Sequence, residues 1–433
     1  MSIIQPSILP GMMELLPEDQ VEFNKMKEII EDTFKKYAFF PMDNPVMEKM
    51  EILNAKGGGE TQKQIYEFTK GSTEIGLRFD LTVPLARYVA MNFSNLNFPF
   101  RRYHIGKSYR GERNQRGRYR EFYQCDIDII GHDNLSLYND AEIPMVMAEI
   151  FESLKLDNYI FHYNNRTMLN GFFESLGIED TVFALRTIDK ILKIGEENVK
   201  KEFIENGISE EKVNKILEFI TFKGDNNETL QYLKSLDISN EVFLKGLEEL
   251  EFVYEEMLRF GIKEEHITID LSITRGLDYY TGTVIETFLK GYESIGSICS
   301  GGRYEDLASN YTKQKLPGIG LSIGLTRLYY QLKEADLINF EVKPAVEALV
   351  IPMKGMENYA VDLLNKLRKH DIIVQAYLES GKMKKKFNYA DKLNIPYVIV
   401  IGEDELKEEK YSLRDMKTGE QKLVGIDYLI ENL

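Results

Sequence analysis

The sequence predicts an α+β protein in which an antiparallel sheet is interrupted by a helical insertion and followed by a small α/β domain. Three observations predict this. Residues 98–130 read as a long hairpin, two aromatic-rich and apolar runs joined by the charged loop GERNQRGR. From about 173 to 260 the chain is rich in Lys, Glu and Leu at helical spacing, as in VKKEFIENGISEEKVNKILEFI, and lacks the glycine-rich stretches on either side. From 345 to 433 the segments ALVIPM, ENYAVDLLNKLRKH, IIVQAYL, KMKKKFNYADKLN and YVIVIG alternate between strand and helix, which gives parallel strands with helical crossovers. A chain of 433 residues has room for two or three domains at roughly 150 residues each.

Taken in order, the apolar residues Phe23, Met26, Ile30, Phe34 and Tyr37 recur at three and four positions. They form one stripe of a helix entered through Pro17, with Pro41 and Pro45 expected to end it. GLRFDLTVPLARY (76–88) reads as a strand running into a helix, with Asp80 and Thr82 on one side. A carboxylate there either holds an ammonium group or caps the helix. In the second strand of the hairpin the odd positions Tyr123, Cys125, Ile127 and Ile129 are apolar. Gln124, Asp126 and Asp128 point the other way, onto an exposed sheet surface or into a polar pocket. After the insertion, strand character returns at TVIETFL and SIGSICSGG, and LPGIGLSIGLTRLYYQLKEADLI is a glycine-punctuated strand leading into an amphipathic helix. The expected divisions are a first domain over 1–330 containing the insertion 173–260, a linker over 331–344, and a final domain over 345–433.

Composition excludes several classes. Hydrophobic residues are 43% and charged residues 29%, ordinary for a globular chain. No apolar run approaches the roughly 18 residues of a membrane helix. The start MSIIQPSILPGMMELLPEDQ has no basic segment, apolar centre and small-residue cleavage site, so the expected location is the cytoplasm. Cys125 and Cys299 lie far apart, and the five histidines include no pair at i, i+4, so neither a disulfide framework nor a metal site is expected.

The net charge of -16 would repel a polyanion unless cations are gathered somewhere. They are gathered at 101–120, RRYHIGKSYRGERNQRGRYR, with eight Lys or Arg and one acid, Glu112. Such a run is either a solvated face or, beside Phe122, Gln124 and Asp128, a set of cations for phosphates next to an aromatic face for a base. The second reading is preferred. No G-x-x-x-x-G-K-[ST] loop or dinucleotide fingerprint occurs, so arginines on an antiparallel scaffold would have to bind the phosphates. A second cluster, RGLDYYTGTVIE (275–286) with CSGGRYEDL (299–307), is either a turn with partly buried tyrosines or part of the same site. Two Gly-Arg-aromatic combinations so close together favour a site.

These segments carry a family resemblance. FRRYHIGKSYRGERNQRGRYREFYQCDIDIIG resembles motif 2 of the class II aminoacyl-tRNA synthetases, LPGIGLSIGLTRL resembles their motif 3, and YAFFPMDNPVME with Pro45 is similar to motif 1. RGLDYYTGTVIE and CSGGRYEDL resemble signature segments of the histidyl-tRNA synthetases, and the region after 345 is similar to that family's anticodon-binding domain. The resemblance implies a class II catalytic domain, ATP with Mg2+ as substrate without protein-bound zinc, histidine and tRNA(His) as partners, and a homodimer through motif 1. Arg110 would contact the α-phosphate and the reacting carboxylate, with Arg275 opposite it as the second catalytic cation. Glu112 would hold the adenine amino group, Phe122 would stack on its ring, and Arg118 and Arg327 would reach the distal phosphates. Asp80, Thr82 and Gln124 would bind the α-amino group of histidine. Asp128 and Tyr280 would read the imidazole, Tyr279 and Tyr304 would line the pocket, and Gln115 and Arg116 would meet the tRNA acceptor end.

Two positions depart from the family pattern. Thr326 stands before Arg327 where many members have Glu, which reads as drift, and Asp128 is a shorter carboxylate than the usual Glu. The rival implied by resemblance is the regulatory subunit of ATP phosphoribosyltransferase, a histidine sensor on the same fold. It typically lacks the last domain and some phosphate-binding arginines, whereas this chain keeps both. In the last domain, Lys382, Lys384, Lys385 and Lys386 are candidates for tRNA backbone contacts near the anticodon.

Overall fold

The computed structural model describes residues 3–55, 62–112, 117–274, 276, 280–305 and 307–433, Leu192 for its backbone only. The chain divides into two units, Met1–Glu14 with Met26–Phe340 and Leu15–Lys25 with Glu341–Leu433.

In the first unit the strands are β1 (Phe40–Pro41), β2 (Met47–Lys49), β3 (Glu67–Lys70), β4 (Thr73–Leu77), β5 (Phe100–Tyr109), β6 (Glu121–Ile130), β7 (Tyr159–Asn165), β8 (Ile267–Ile269), β9 (Thr283–Leu289), β10 (Cys299–Tyr304) and β11 (Gly318–Ile323). Eight of them form one sheet in the order β1-β5-β6-β11-β10-β9-β7-β8. The hairpin predicted from 98–130 is β5 and β6, paired antiparallel from Phe100 with Ile130 to Tyr109 with Glu121. The sheet is antiparallel through its six inner strands, but β1 lies parallel to β5 and β8 parallel to β7. Parallel neighbours require a long crossover, and both edges have one: the segment carrying β2–β4 on one side and the helical insertion on the other.

The alternation in β6 has a physical outcome. Cys125, Ile127 and Ile129 are wholly buried on one face, which fixes the register because a one-residue slip would turn them into the polar face. Helix Pro17–Lys36 buries Phe23, Met26, Ile30 and Phe34 along its predicted stripe. It ends before either proline, at Ala38, whose φ of 58° turns the chain left-handed. The helical insertion begins earlier than its Lys/Glu pattern, at Arg166–Ser175, where the Asn165 side chain accepts from Met168 N. Its last helix, Glu241–Arg259, crosses the first so closely that a Cβ on Gly171 or Gly246 would lie 2.1 Å from a facing backbone nitrogen. Of the small sheet ordered β2-β4-β3, only the end of β4, before the helix Thr82–Met91, answers to the strand read from 76–88.

The second unit holds β12 (Ala348–Pro352), β13 (Val374–Ala376), β14 (Tyr397–Ile401), β15 (Tyr411–Asp415) and β16 (Gln421–Val424). β13-β12-β14 are parallel, as the strand-helix alternation predicts. β15 and β16 extend the sheet as an antiparallel hairpin, which the sequence reading did not include. Alternate residues of β12 feed two cores, Ala348 and Val350 on one face, Leu349 and Ile351 on the other. Among the described residues no helix is long and apolar enough to cross a membrane.

Candidate active site

The polar face of β6 resolves the choice left by its pattern: Gln124, Asp126 and Asp128 look into a pocket. They line a cavity of about 480 Å³ in the first unit, within the usual range for small-ligand sites. Its floor is the inner sheet, where β11 carries Gly320 beside Asp128. A Cβ on Gly320 would sit 2.1 Å from Asp128 Oδ1, so only glycine lets the strand run this close to the acid.

Asp128 is 4% exposed and held from two sides. The Tyr304 hydroxyl donates to Oδ1 at 2.9 Å, and the Arg102 guanidinium stands 2.5 Å from Oδ2. Arg102 comes from the partner strand directly across the hairpin, and its side chain is wholly buried. Burial pushes the Asp128 carboxyl up to about 6 against the opposing pull of Arg102 and Tyr304. Asp126, two residues earlier on the same face, is pushed by burial to about 7, again opposed by Arg102 and by a hydrogen bond from Ser322. Ser322 bridges Asp126 and Gln124: its hydroxyl donates to Asp126 Oδ1 and accepts from Gln124 Nε2 at 3.0 Å.

Asp80 and Thr82 do not lie on a strand. β4 ends at Leu77, and Thr82 opens the helix Thr82–Met91. Asp80 Oδ1 accepts from Thr82 N at 3.1 Å and Val83 N at 2.9 Å, so the carboxylate caps the helix. It also lines the cavity, which makes the two sequence readings compatible. Its carboxyl is raised by burial against the backbone bonds and Arg110.

The cations come from the hairpin end and the helix Leu325–Glu334. The Arg110 guanidinium lies 4.4 Å from the Phe79 ring centre and 5.1 Å from that of Phe122, donating from Nε to Phe79 O. Stacked between two rings, it is fixed in direction while its charge still faces the cavity. Arg118 pairs with Glu112 at 3.2 Å, and Arg327 Nη2 donates to Ile295 O at 2.9 Å. All three arginines line the cavity together with Tyr280 and Tyr304. Chemically, the buried acids suit an ammonium group and a neutral heteroaromatic ring, and the arginines suit phosphates.

Residues 11–328 match the family model for histidyl-tRNA synthetase, and residues 347–433 match that of the anticodon binding domain. The chain belongs to the histidyl-tRNA synthetase family. It is 57% identical over 430 residues to a protein of Clostridium tetani named histidine–tRNA ligase, covering 99% of this chain and 98% of that one. A protein of the same name from Finegoldia magna is 55% identical over 431 residues, covering all of both chains. The crystal structure of histidyl-tRNA synthetase from Nostoc sp. PCC 7120 superposes with a TM-score of 0.90 at 37% identity, covering 99% of each chain. The architecture is that of a class II synthetase, α+β with a C-terminal anticodon-binding domain. Full-length likeness to synthetases favours the ligase over the regulatory-subunit rival.

Of the residues singled out from sequence, Asp80, Thr82, Arg110, Glu112, Arg118, Phe122, Gln124, Asp128, Tyr280, Tyr304 and Arg327 meet in the one cavity. Arg275, Tyr279, Gln115 and Arg116 lie outside the described residues. Thr326, read from sequence as drift, has a structural partner. Its hydroxyl accepts from the Tyr123 backbone N–H at 2.8 Å, tying the helix after β11 to β6. Lys386 is not a tRNA-facing lysine: it is buried, donating to Pro352 O, while Lys382, Lys384 and Lys385 are exposed. Sequence reasoning assigned no role to Arg102 and Ser322. Arg102 was findable, because equal steps from the hairpin loop pair it with Asp128. Ser322 was not, because its partnership crosses from β11 to β6.

Proposed function

We propose that the chain condenses histidine with ATP to histidyl-adenylate in this cavity and transfers the histidyl group to the 3′ end of tRNA(His). The observation that carries the reading is Asp128, gripped by Tyr304 and Arg102, in a cavity that also presents Arg110, Arg118 and Arg327. Neutral imidazole has one donor and one acceptor. Asp128 takes the imidazole N–H and the Tyr280 hydroxyl serves the other nitrogen, leaving unpaired groups against most other side chains. Asp80, Thr82 and Gln124 receive the α-ammonium.

The reacting carboxylate is already ionised, so attack on the α-phosphorus needs no general base. It needs two anions brought together and the growing charge neutralised. Arg110, held in direction by its two rings, meets the α-phosphate and the carboxylate, with Arg275 on the opposite side. Phe122 stacks on adenine, Glu112 holds its amino group, and Arg118 and Arg327 take the distal phosphates, with Mg2+ arriving as part of the nucleotide. For ATP to enter, Glu112 exchanges its Arg118 partner for the base. Tyr279 lines the imidazole pocket, and Gln115 and Arg116 meet the acceptor end. Cys125 and Cys299 are both buried, and among the described residues neither belongs to a group of three or more His, Cys, Asp or Glu placed to hold a metal ion, so the reading uses no resident zinc. A homodimer through the Pro45 segment and a cytoplasmic location complete it.

Charging of tRNA(His) with labelled histidine tests the reading. Arg110→Ala is expected to lower it ~10²-fold or more, and a wild type that charges no tRNA would overturn it. Lys382, Lys384 and Lys385 contribute tRNA backbone contacts in the second unit. Reversing these three charges is expected to weaken tRNA binding and flatten its salt dependence, and an unchanged salt slope removes them from the account.

A further inference from the structure

Gln124 is joined to Ser322 and Asp126 by a chain of hydrogen bonds, and the histidine reading gives Ser322 and Asp126 no part. Gln124 and Asp126 share one face of β6, and Ser322 of β11 stands directly opposite Asp126. An ionised carboxylate only accepts, so the one proton of the Ser322 hydroxyl goes to Asp126 Oδ1. The serine oxygen then has only lone pairs to offer, and the amide of Gln124 must meet it with Nε2. Gln124 Oε1 is left buried and without a hydrogen-bond partner among the described residues. An ammonium group carries three donors and no acceptor, so the oxygen edge of this amide, and not its nitrogen edge, is the one it can use.

We propose that Asp126 and Ser322 are positioning residues that lock the Gln124 amide with its oxygen turned to the α-ammonium of the substrate. The inference rests on the histidine reading and adds to it the group that decides how the amino end is recognised. It also makes that recognition sensitive to pH. The groups facing Asp126 are Arg102 and His104 from β5, Asp128 on its own strand, Asp80 before the helix Thr82–Met91, Cys299 from β10 and, beyond Ser300 in the same row, Glu286. His104 is driven down to about 3 by burial and the neighbouring Arg102 and Arg78, so it stays neutral while Asp126, pushed to about 7, changes charge. With a proton bound, Asp126 donates to Ser322, the serine hydroxyl turns toward Gln124, and the amide rotates to receive it. The N–H edge then faces the ammonium and repels it.

The test uses two inhibitors of histidine-driven ATP–pyrophosphate exchange by the full-length protein. Histidinol keeps the α-ammonium, and imidazolylpropanol has the same ring and alcohol without it. Ser322→Ala is expected to weaken histidinol by roughly tenfold and to leave imidazolylpropanol nearly unchanged, the loss typical of a misdirected hydrogen bond to a charged group. In the wild type the advantage of histidinol shrinks as pH falls through about 7, and in Asp126→Asn, which keeps the shape of the side chain, the part of that fall centred near 7 is lost, leaving only what Asp80 contributes. The ratio cancels titration of the shared imidazole. Equal weakening of both inhibitors, or an unaltered pH dependence of their ratio in Asp126→Asn, overturns the proposal while the histidine reading stands. A wild type that shows no histidine-driven exchange overturns both.

Discussion

Arg102→Met removes the buried cation beneath Asp128 while keeping an unbranched stem in its place. The Arg102 side chain has no solvent exposure and its Nη2 lies 2.5 Å from Asp128 Oδ2, so the substitution strands a carboxylate that, among the described residues, Tyr304 alone then holds. Breaking one side of a buried pair costs about 3–5 kcal/mol, whereas removing both charges costs far less. Asp128→Asn is expected to be similarly harmful because it strands the arginine. The double variant is therefore predicted to be more stable than the two single losses added together, by about 2–3 kcal/mol, the upper range for residues in contact. Urea unfolding followed by circular dichroism measures this, since the chain has no tryptophan to report by fluorescence. Additivity to within about 0.5 kcal/mol would show that the two charges do not depend on each other, and the account of how Asp128 stays ionised near neutral pH would fail.

The remaining predictions concern the floor, the charge state and the motif 3 helix. Gly320→Ala places a methyl 2.1 Å from Asp128 Oδ1 and is expected to raise KM for histidine at least ~10-fold with a much smaller change for ATP, because a displacement of about 1 Å at a binding group is enough; equal changes in both constants contradict a local effect. Asp126 and Asp128 bind protons more tightly folded, at about 7 and about 6, than the ordinary 3.8. Their contribution to stability is thus present below the ordinary value and lost as pH rises through the folded values. Thermal melts of Asp126→Asn should gain on the wild type above neutrality and not near pH ~4, and a gain that is the same at both pH values refutes the assignment. Thr326→Val keeps the shape of the side chain but removes the acceptor that the part-buried Tyr123 N–H uses, for which a loss of about 1 kcal/mol in urea unfolding is expected; no loss would leave Thr326 without a structural role.

How much was legible depends on the distance over which each residue finds its partner. The β5–β6 hairpin was readable because its pairing is local and its apolar positions alternate, and Arg110 and Arg118 of the cation run around its loop do line the cavity. Helix Leu325–Glu334 and the strand before it were likewise read from period and glycines. The parallel edges β1 and β8 were not, since two- and three-residue strands carry no period. Strand β3 is exposed along its whole length, so no buried face exists for a pattern to record. At the site, the capping role of Asp80 was one of its two sequence readings, but the partners of Asp128 were not visible. Asp80 answers to a helix N-terminus, and Asp128 to Tyr304, 176 positions away. Lys386 shows the opposite error, a lysine in a basic run whose ammonium is turned inward to Pro352 O.

The most direct measurement is ATP–pyrophosphate exchange by the wild-type protein without tRNA, with histidine, threonine, proline and glycine supplied one at a time. The account predicts exchange with histidine alone, because only an imidazole satisfies both Asp128 and Tyr280 while the arginines hold ATP. Absence of exchange with histidine, or comparable exchange with any of the other three, would contradict it.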